Sequence, residues 1–282
     1  MSSAFNTPFT SADSSLKLVS DSTWSKSLES ELSLNFNSGV KTIALDCEGI
    51  DLSRLGQVCL VQIASPTSPT TYLFDVLGLT SASVSPMLDW LRNLLENETI
   101  CKVIHDCRMD SDALYHLLNI KLTTVHDTSC WHSSRDVNLN DCLAAYGLKP
   151  NALRGSINYD LTPNYWARRP VSEEMMAYAA GDLTSLLEMQ AKQIERASVS
   201  ESLKATADSI AYLNAARSAR VEVIRVTGNI GQFIGTRGTN IRQLQKSTNT
   251  IIFNTGQRSN KMFMVFYHTE EGLNQVKAQS KM

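Results

Sequence analysis

The sequence predicts an α/β chain that closes with a small α+β module, and three observations carry that reading. Apolar, β-rich segments crowd the first third and are split by Ser, Pro and Gly, the pattern of strands joined by short turns. From Met87 onward, short strand-like runs alternate with amphipathic helical ones. From Ala219 the order becomes strand, two helices, two strands and a last helix. At 282 residues with 43% hydrophobic content the chain suits one large or two moderate domains with real cores.

Residues 1–15 are rich in Ser, Thr and Asn with no apolar period, which predicts a flexible tail. Leu16 to Val19 alternates as a short strand, Asp21 is a helix cap, and Trp24, Leu28 and Leu32 fall at helical spacing. Three strands follow: one ending Ile43-Ala44-Leu45-Asp46-Cys47-Glu48, one over Gly56 to Ala64, and one over Thr71 to Val76. Met87 to Leu95 is an amphipathic helix. Lys102 to His105 is a strand running into another helix, Leu122 to Asp127 a strand, and Asn138 to Tyr146 a helix. A loop spans Asn151 to Asn164. Ser172 then caps a helix that carries Met175, Tyr178, Asp182, Leu186 and Met189 along one face. Ser198 to Ser218 reads as a linking helix with Leu203, Ile210, Leu213 and Ala216 on its inner stripe.

The chemistry concentrates in carboxylates. Side chains alternate along a strand, so Asp46 and Glu48 leave the same face. Two adjacent carboxylates repel unless a proton or a cation sits between them, and magnesium or manganese suits oxygen ligands; a turn or a solvated edge is the alternative. In His105 to Leu114 helix phase sorts three acids: Asp106 as N-cap, Asp110 in phase with Leu114 and Leu117 and so facing inward, Asp112 solvated. His105 reads equally as a hydrogen-bonded residue at a strand end or as a substrate contact. Tyr178 and Asp182 stand one helical turn apart, and an acid on an apolar face needs a partner; a surface-facing Asp is the alternative. His126, Cys130 and His132 lack a fourth ligand at a usual zinc spacing.

No apolar run reaches the roughly 18 residues a membrane span needs, and the first residues lack the basic end and apolar core of a signal peptide. A soluble intracellular protein of cytoplasm or nucleus is the expectation, its six cysteines reduced and without a Cys-x-x-Cys pair. The net charge of −2 hides an asymmetry: nine basic against three acidic residues after Ser218 make the tail +6 and leave −8 for the rest. A basic tail beside an acidic body points to polyanion binding next to metal binding, with ordinary solvated charge as the alternative.

Asp46 and Glu48, Asp110 five residues after His105, and the run Tyr178-Ala179-Ala180-Gly181-Asp182 together resemble the three sequence blocks of the DEDDy 3′-to-5′ exonucleases. Gly56 to Ala64, Asp127-Thr128 and Trp166 to Pro170 are similar to the ribonuclease D branch. The resemblance covers residues 16–196, with 197–218 linking onward. It implies a ribonuclease H-like fold, a mixed sheet flanked by helices. It implies two divalent cations, Mg²⁺ or Mn²⁺, ~4 Å apart on Asp46, Glu48, Asp110 and Asp182, with Asp46 as bridge. By the same resemblance Tyr178 positions the attacking water, and nucleoside 5′-monophosphates are released. Similar proteins that lack some of these carboxylates act as RNA-binding adaptors, whereas here all five positions are filled. A catalytically silent adaptor and a DNA exonuclease are the alternatives.

Residues 219–282, with Ile234-Gly235-Thr236-Arg237-Gly238-Thr239-Asn240-Ile241 between the first two helices, resemble a type I KH domain. The resemblance implies that Gly235 and Gly238 admit phosphates close to the Thr236–Arg237 backbone, that Arg237 adds charge, and that Ile241 and Leu244 floor a groove for about four bases. Single-stranded RNA is the implied partner, with DNA possible. One basic residue in the loop implies modest affinity, and a fold used for protein contact is the alternative.

Overall fold

A computed structural model describes residues 15–37, 39–133, 137–255 and 261–282. The tail predicted over 1–15 lies outside the described residues except for Ser15, which opens the first strand. In order the chain forms β1 (Ser15–Val19), α1 (Lys26–Asn37), β2 (Thr42–Ile50), β3 (Gln57–Ala64), β4 (Thr70–Asp75), α2 (Pro86–Leu95), β5 (Cys101–Ile104), α3 (Arg108–Leu118), β6 (Val125–Asp127) and α4 (Leu139–Ala145). There follow α5 (Glu173–Leu183), α6 (Leu186–Arg196), α7 (Val199–Ala215), β7 (Arg220–Arg225), α8 (Ile230–Ile234), α9 (Thr239–Thr248), β8 (Thr250–Asn254), β9 (Met262–Tyr267) and α10 (Glu270–Gln279).

The larger sheet runs β1-β4-β3-β2-β5-β6. β2, β3 and β4 form an antiparallel meander, while β1, β5 and β6 join in parallel, so the sheet is mixed. Alternation along the strands divides its two faces. Ile43, Leu45, Val61 and Ile63 pack with Phe36, Leu91 and Leu114 on one side. On the other, Ala44 and Val103 meet Leu183, Leu186 and Met189, and Leu60 and Leu73 meet Met175, Tyr178 and Ala179. Helices therefore cover both faces and bury most of each strand.

Three local expectations are corrected. α1 is capped by Ser25, whose Oγ accepts from the Leu28 amide at 3.2 Å, because the helix begins too late for Asp21 to reach it. Asp21 instead accepts from Ser85 Oγ at 2.5 Å. The strand predicted over Leu122 to Asp127 is confined to β6, since Leu122 buries itself outside the ladder. On α7, Leu203 and Ile210 face solvent at 69% and 54% exposure, and Ala205, Ser209 and Leu213 face inward. The polar Ser209 belongs inside because its Oγ accepts the Asp127 amide at 3.2 Å, a donor on edge strand β6 that burial would otherwise orphan. Thus α7 packs against β6 and α3 as a wall of the larger unit.

The C-terminal residues form a second, antiparallel sheet, β7-β9-β8. One face, with Ile224, Ile252, Phe263 and Val265, packs on Phe233, Leu273 and Val276 from α8 and α10.

Candidate active site

β2 carries Ile43, Ala44 and Leu45 fully buried and then delivers Asp46 and Glu48, both partly exposed, where the strand leaves the core. The pairing register shifts between Glu48 and Gly49, with Cys59 of β3 the extra residue, so the ladder becomes irregular at that exit. Ser172 Oγ accepts the Met175 amide at 3.2 Å and starts α5, which brings Asp182 over the same spot. One oxygen each from Asp46, Glu48 and Asp182 lies within 4.8 Å of the others. Burial, then the charges of Asp110 and Asp182, raise the Asp46 pKa well above the usual carboxylate range; burial, then Asp46, does the same to Glu48.

Asp110 stands in the first turn of α3, buried, and lies outside that three-residue group. It faces Asp46 electrostatically and bonds the Cys47 thiol, and its Oδ1 has no protein partner among the described residues. Burial, with a contribution from Asp106, pushes its pKa up to about 7. Beside Asp46 on β3 stands Gln62, fully buried on the same face, with neither amide atom bonded to protein among the described residues. Four crowded carboxylates, an orphaned carboxylate oxygen and an orphaned amide form a hard oxygen-donor set that fits hydrated divalent cations. Asp46, Glu48 and Asp182, with Asp110, would hold them.

Tyr178 is buried one turn before Asp182, its ring edge-on to Trp166 at 5.5 Å. Burial, then Tyr159 and Glu48, raise its pKa, so the phenol stays protonated as a donor. Tyr159 comes from the loop before α5; its hydroxyl accepts from Trp166 Nε1 at 3.2 Å and hydrogen-bonds Tyr178. The same loop supplies Asn151, whose Nδ2 donates to Asp182 Oδ1 at 2.9 Å and to the Tyr178 carbonyl at 3.0 Å. Asn151 can lie this close because α5 has glycine at 181: a Cβ there would stand 2.7 Å from the amide. Arg154 Nη1 reaches Asp182 Oδ2 at 2.8 Å; burial opposes its charge, but Asp182 and Asp46 outweigh burial and raise its pKa.

The other predicted residues fall as follows. Asp106 does not cap α3: its φ is +58°, and its carboxylate pairs with Arg108. The amides of Asp106 and Cys107 are taken instead by Asp127, at 3.0 and 2.8 Å, so the cap comes from a neighbouring strand. Asp112 is fully buried, not solvated, and receives Arg54 Nε and Nη2 at 2.9 and 2.6 Å and the Arg54 amide at 2.7 Å. His105 has Thr128 Oγ1 at 2.8 Å on Nδ1 and the Val137 carbonyl at 3.0 Å on Nε2, the hydrogen-bonded alternative. His126 bonds Gln193 and stacks on Trp131 at 4.4 Å, as a core residue. Among the described residues only Asp46, Glu48 and Asp182 form a close ligand cluster. Arg154, Asn151, Tyr159 and Gln62 were not singled out from sequence. Gln62 alone left a signal, a polar residue inside the apolar run of β3.

Gly235 (φ +75°) and Gly238 (φ +79°) flank a single 3₁₀ turn in which Arg237 is itself left-handed at φ +52°. Asn240 Nδ2 donates to the Gln232 carbonyl at 2.7 Å and fills the space over Gly235, where a Cβ would stand 2.6 Å from it. Arg242 Nη1 holds the Arg237 carbonyl at 2.7 Å, Thr236 and Arg237 are exposed, and Ile241 and Leu244 are half-buried against the core.

The sequence profile of the 3′-5′ exonuclease family matches residues 19–195, well over half of the chain. The chain belongs to the 3′-5′ exonuclease family. Human piRNA biogenesis protein EXD1 is 31% identical over 170 residues, 52% of this chain and 31% of that protein. Ribonuclease D of Bartonella henselae is 29% identical over 185 residues, 64% of this chain and 42% of that enzyme. The chain therefore spans less than half of either relative. Among solved structures, Trypanosoma brucei RNase D in complex with RNA U12 is similar in fold at a TM-score of 0.57 and 24% identity, covering 72% of this chain and 70% of that one. Brucella melitensis NrnC with bound Mg²⁺ is similar at 0.52 and 20%, covering 71% and 90%. The larger sheet with its flanking helices is thus the exonuclease domain. Among the described residues no helix is long and apolar enough to cross a membrane.

Proposed function

We propose that this exonuclease domain removes nucleotides one at a time from the 3′ end of single-stranded RNA, using two divalent cations, Mg²⁺ or Mn²⁺, and releasing nucleoside 5′-monophosphates. The observation that carries the reading is the convergence of Asp46, Glu48 and Asp182 within 4.8 Å beside a buried Asp110 whose Oδ1 is orphaned. Bound to these carboxylates, the cations would activate water and stabilise the leaving 3′ oxygen. The chain's own residues do the rest. The neutral Tyr178 phenol orients a water by hydrogen bonding, and Tyr159 fixes that phenol. Arg154 keeps a positive charge at the rim, where a phosphate would approach.

RNA is favoured over DNA by the C-terminal unit. Its β-α-α-β-β-α order and its Gly-Thr-Arg-Gly turn support a KH domain over 219–282 that would hold the strand on the exposed Thr236–Arg237 backbone. The T. brucei neighbour's complex with RNA accords with this choice. On this reading the exonuclease domain occupies 16–196, and 197–218 joins it to the KH module of a soluble RNA-processing protein.

The test is incubation of the purified chain with 5′-labelled RNA and with the matched DNA, in Mg²⁺ or Mn²⁺. A ladder shortening from the 3′ end of RNA, absent with Asp46→Asn, supports the proposal. Binding without shortening would make the chain an adaptor, and equal cutting of DNA would remove the sugar preference.

A further inference from the structure

The C-terminal sheet has two faces, and α8 and α10 cover one of them. The other presents Ile251, Met264 and Phe266, with Phe253 at its margin, to Met109 of α3 and to Ala216 and Ala219 beyond α7. Polar and cationic contacts rim this seam. The Arg108 guanidinium lies 4.7 Å from the Tyr212 ring and 5.6 Å from the Phe253 ring, and its Nε and Nη2 donate to Asp106 at 2.5 and 2.7 Å. Arg54, four residues beyond the end of β2, holds Asp112, donates to the Ala216 and Arg217 carbonyls at 2.7 and 3.2 Å, and lies 5.8 Å over Phe266. Ser111 Oγ donates to the Leu213 carbonyl at 2.7 Å, and Ser53 Oγ to Met264 Sδ at 3.3 Å.

These contacts fall on four of the first five positions of α3. Arg108, Met109, Ser111 and, through Arg54, Asp112 are each tied to α7 or to the C-terminal sheet. Asp110, the residue between them, is turned toward Asp46 and bonds Cys47. A desolvated carboxylate among like charges is driven toward water, so it keeps its place only if the backbone on both sides is anchored. Most of these anchors, Tyr212, Leu213, Ala216, Phe253 and Phe266, come from the last third of the sequence.

We propose that the C-terminal module is a positioning element of the exonuclease site: its Phe253, with Tyr212 of α7, clamps Arg108, its Phe266 backs the Arg54 that clamps Asp112, and together these contacts hold Asp110 against the other carboxylates. The role is distinct from gripping RNA, and it rests on the reading of Asp110 as a metal ligand. Phe253 and Arg108 are positioning residues, acting through Asp110.

The test uses the full chain with Phe253→Leu, which keeps the seam filled but removes the ring, and Arg108→Lys, which keeps the charge but removes the flat face. Mn²⁺ binding is followed by the electron spin resonance signal of free Mn²⁺, with thermal melting as the check on folding and RNA cleavage run in parallel. The expected result is a native melt, an Mn²⁺ dissociation constant raised ~10-fold, and the same shift in the metal concentration for half-maximal cleavage, with KM for RNA unchanged. Wild-type Mn²⁺ affinity in both folded variants overturns the proposal, as does failure of the wild-type chain to bind Mn²⁺. A chain that cuts no RNA but loses Mn²⁺ affinity on Phe253→Leu keeps the positioning role and loses the nuclease reading. If Phe253→Leu does not fold, Arg108→Lys alone decides.

Discussion

The carboxylate site and the glycine turn are built by opposite means. Asp46, Glu48, Asp110 and Asp182 arrive from β2, α3 and α5, and they meet only because the whole sheet and its helices are in place. The turn from Ile234 to Ile241 needs only consecutive residues, two of them glycines at positive φ. The first site gathers like charges where burial makes them costly, and the second leaves Thr236 and Arg237 in water. What the difference teaches is where each site is vulnerable. Substitutions in the first should cost chemistry and relieve the fold, whereas substitutions in the second should cost affinity and leave chemistry alone.

The strongest challenge to that contrast is Asp46→Asn. On the proposed reading of Asp46 as a cation ligand, cleavage should fall on the order of 10³-fold or more. The metal-free melting temperature should rise by a few degrees, since the substitution removes a buried charge beside Asp110 and Asp182. A lower melting temperature by calorimetry would show that the site is not under repulsion. A smaller effect is expected from Tyr159→Phe, which deletes the hydroxyl bonded to Trp166 Nε1 and Tyr178. We expect kcat to drop about 10- to 100-fold with KM for RNA unchanged. A rise in KM alone would make Tyr159 a substrate contact.

On the other side of the comparison, Arg237→Ala should weaken RNA binding by roughly 3- to 10-fold at low salt. It should also flatten the salt dependence of log K by about one contact's worth, with kcat at saturating RNA preserved. Loss of kcat would mean that the turn and the carboxylates are not separable. The mildest readout is pH. Asp110 titrates at about 7 when folded and near the ordinary carboxylate value when unfolded, and Asp46 and Glu48 are raised likewise, so the folded state binds more protons across that window. What these groups contribute to metal-free stability is therefore fully present below ~4 and is lost as pH rises through ~7. Melting temperatures should fall by a few degrees from pH 5 to 8, and the gain on adding Mg²⁺ should be larger at pH 8 than at pH 5.5. A metal-free melt that climbs across the window would contradict the assignment.

Much of this was legible from local rules. Strand alternation put Asp46 and Glu48 on one face, helix phase turned Asp110 inward, and Ser172 marked the start of the helix that carries Tyr178 and Asp182. What stayed hidden was satisfied at long range. Asp112 looked solvated because its partner Arg54 lies in another loop, and Asp106 lost its cap role to Asp127 on a parallel strand. Of the α7 stripe, Leu213 and Ala216 are buried as their spacing implies but Leu203 and Ile210 are not, because an apolar count cannot see that Ser209 is needed inside to meet a strand amide. Arg154 and Tyr159 sit in a segment without periodicity, where spacing carries no information about what folds back over the site.

The missing Cβ of Gly181 has a consequence for inheritance. Asn151 occupies the space that a side chain at 181 would take, and its amide bonds Asp182 and the Tyr178 carbonyl. The two positions are thus one unit of descent: a lineage that acquires alanine at 181 must surrender the seat of Asn151, and with it the path that lays Arg154 and Tyr159 beside the carboxylates. Glycine at 181 paired with asparagine at 151 is therefore a two-letter signature by which chains sharing this version of the site can be told from those that share only the acids.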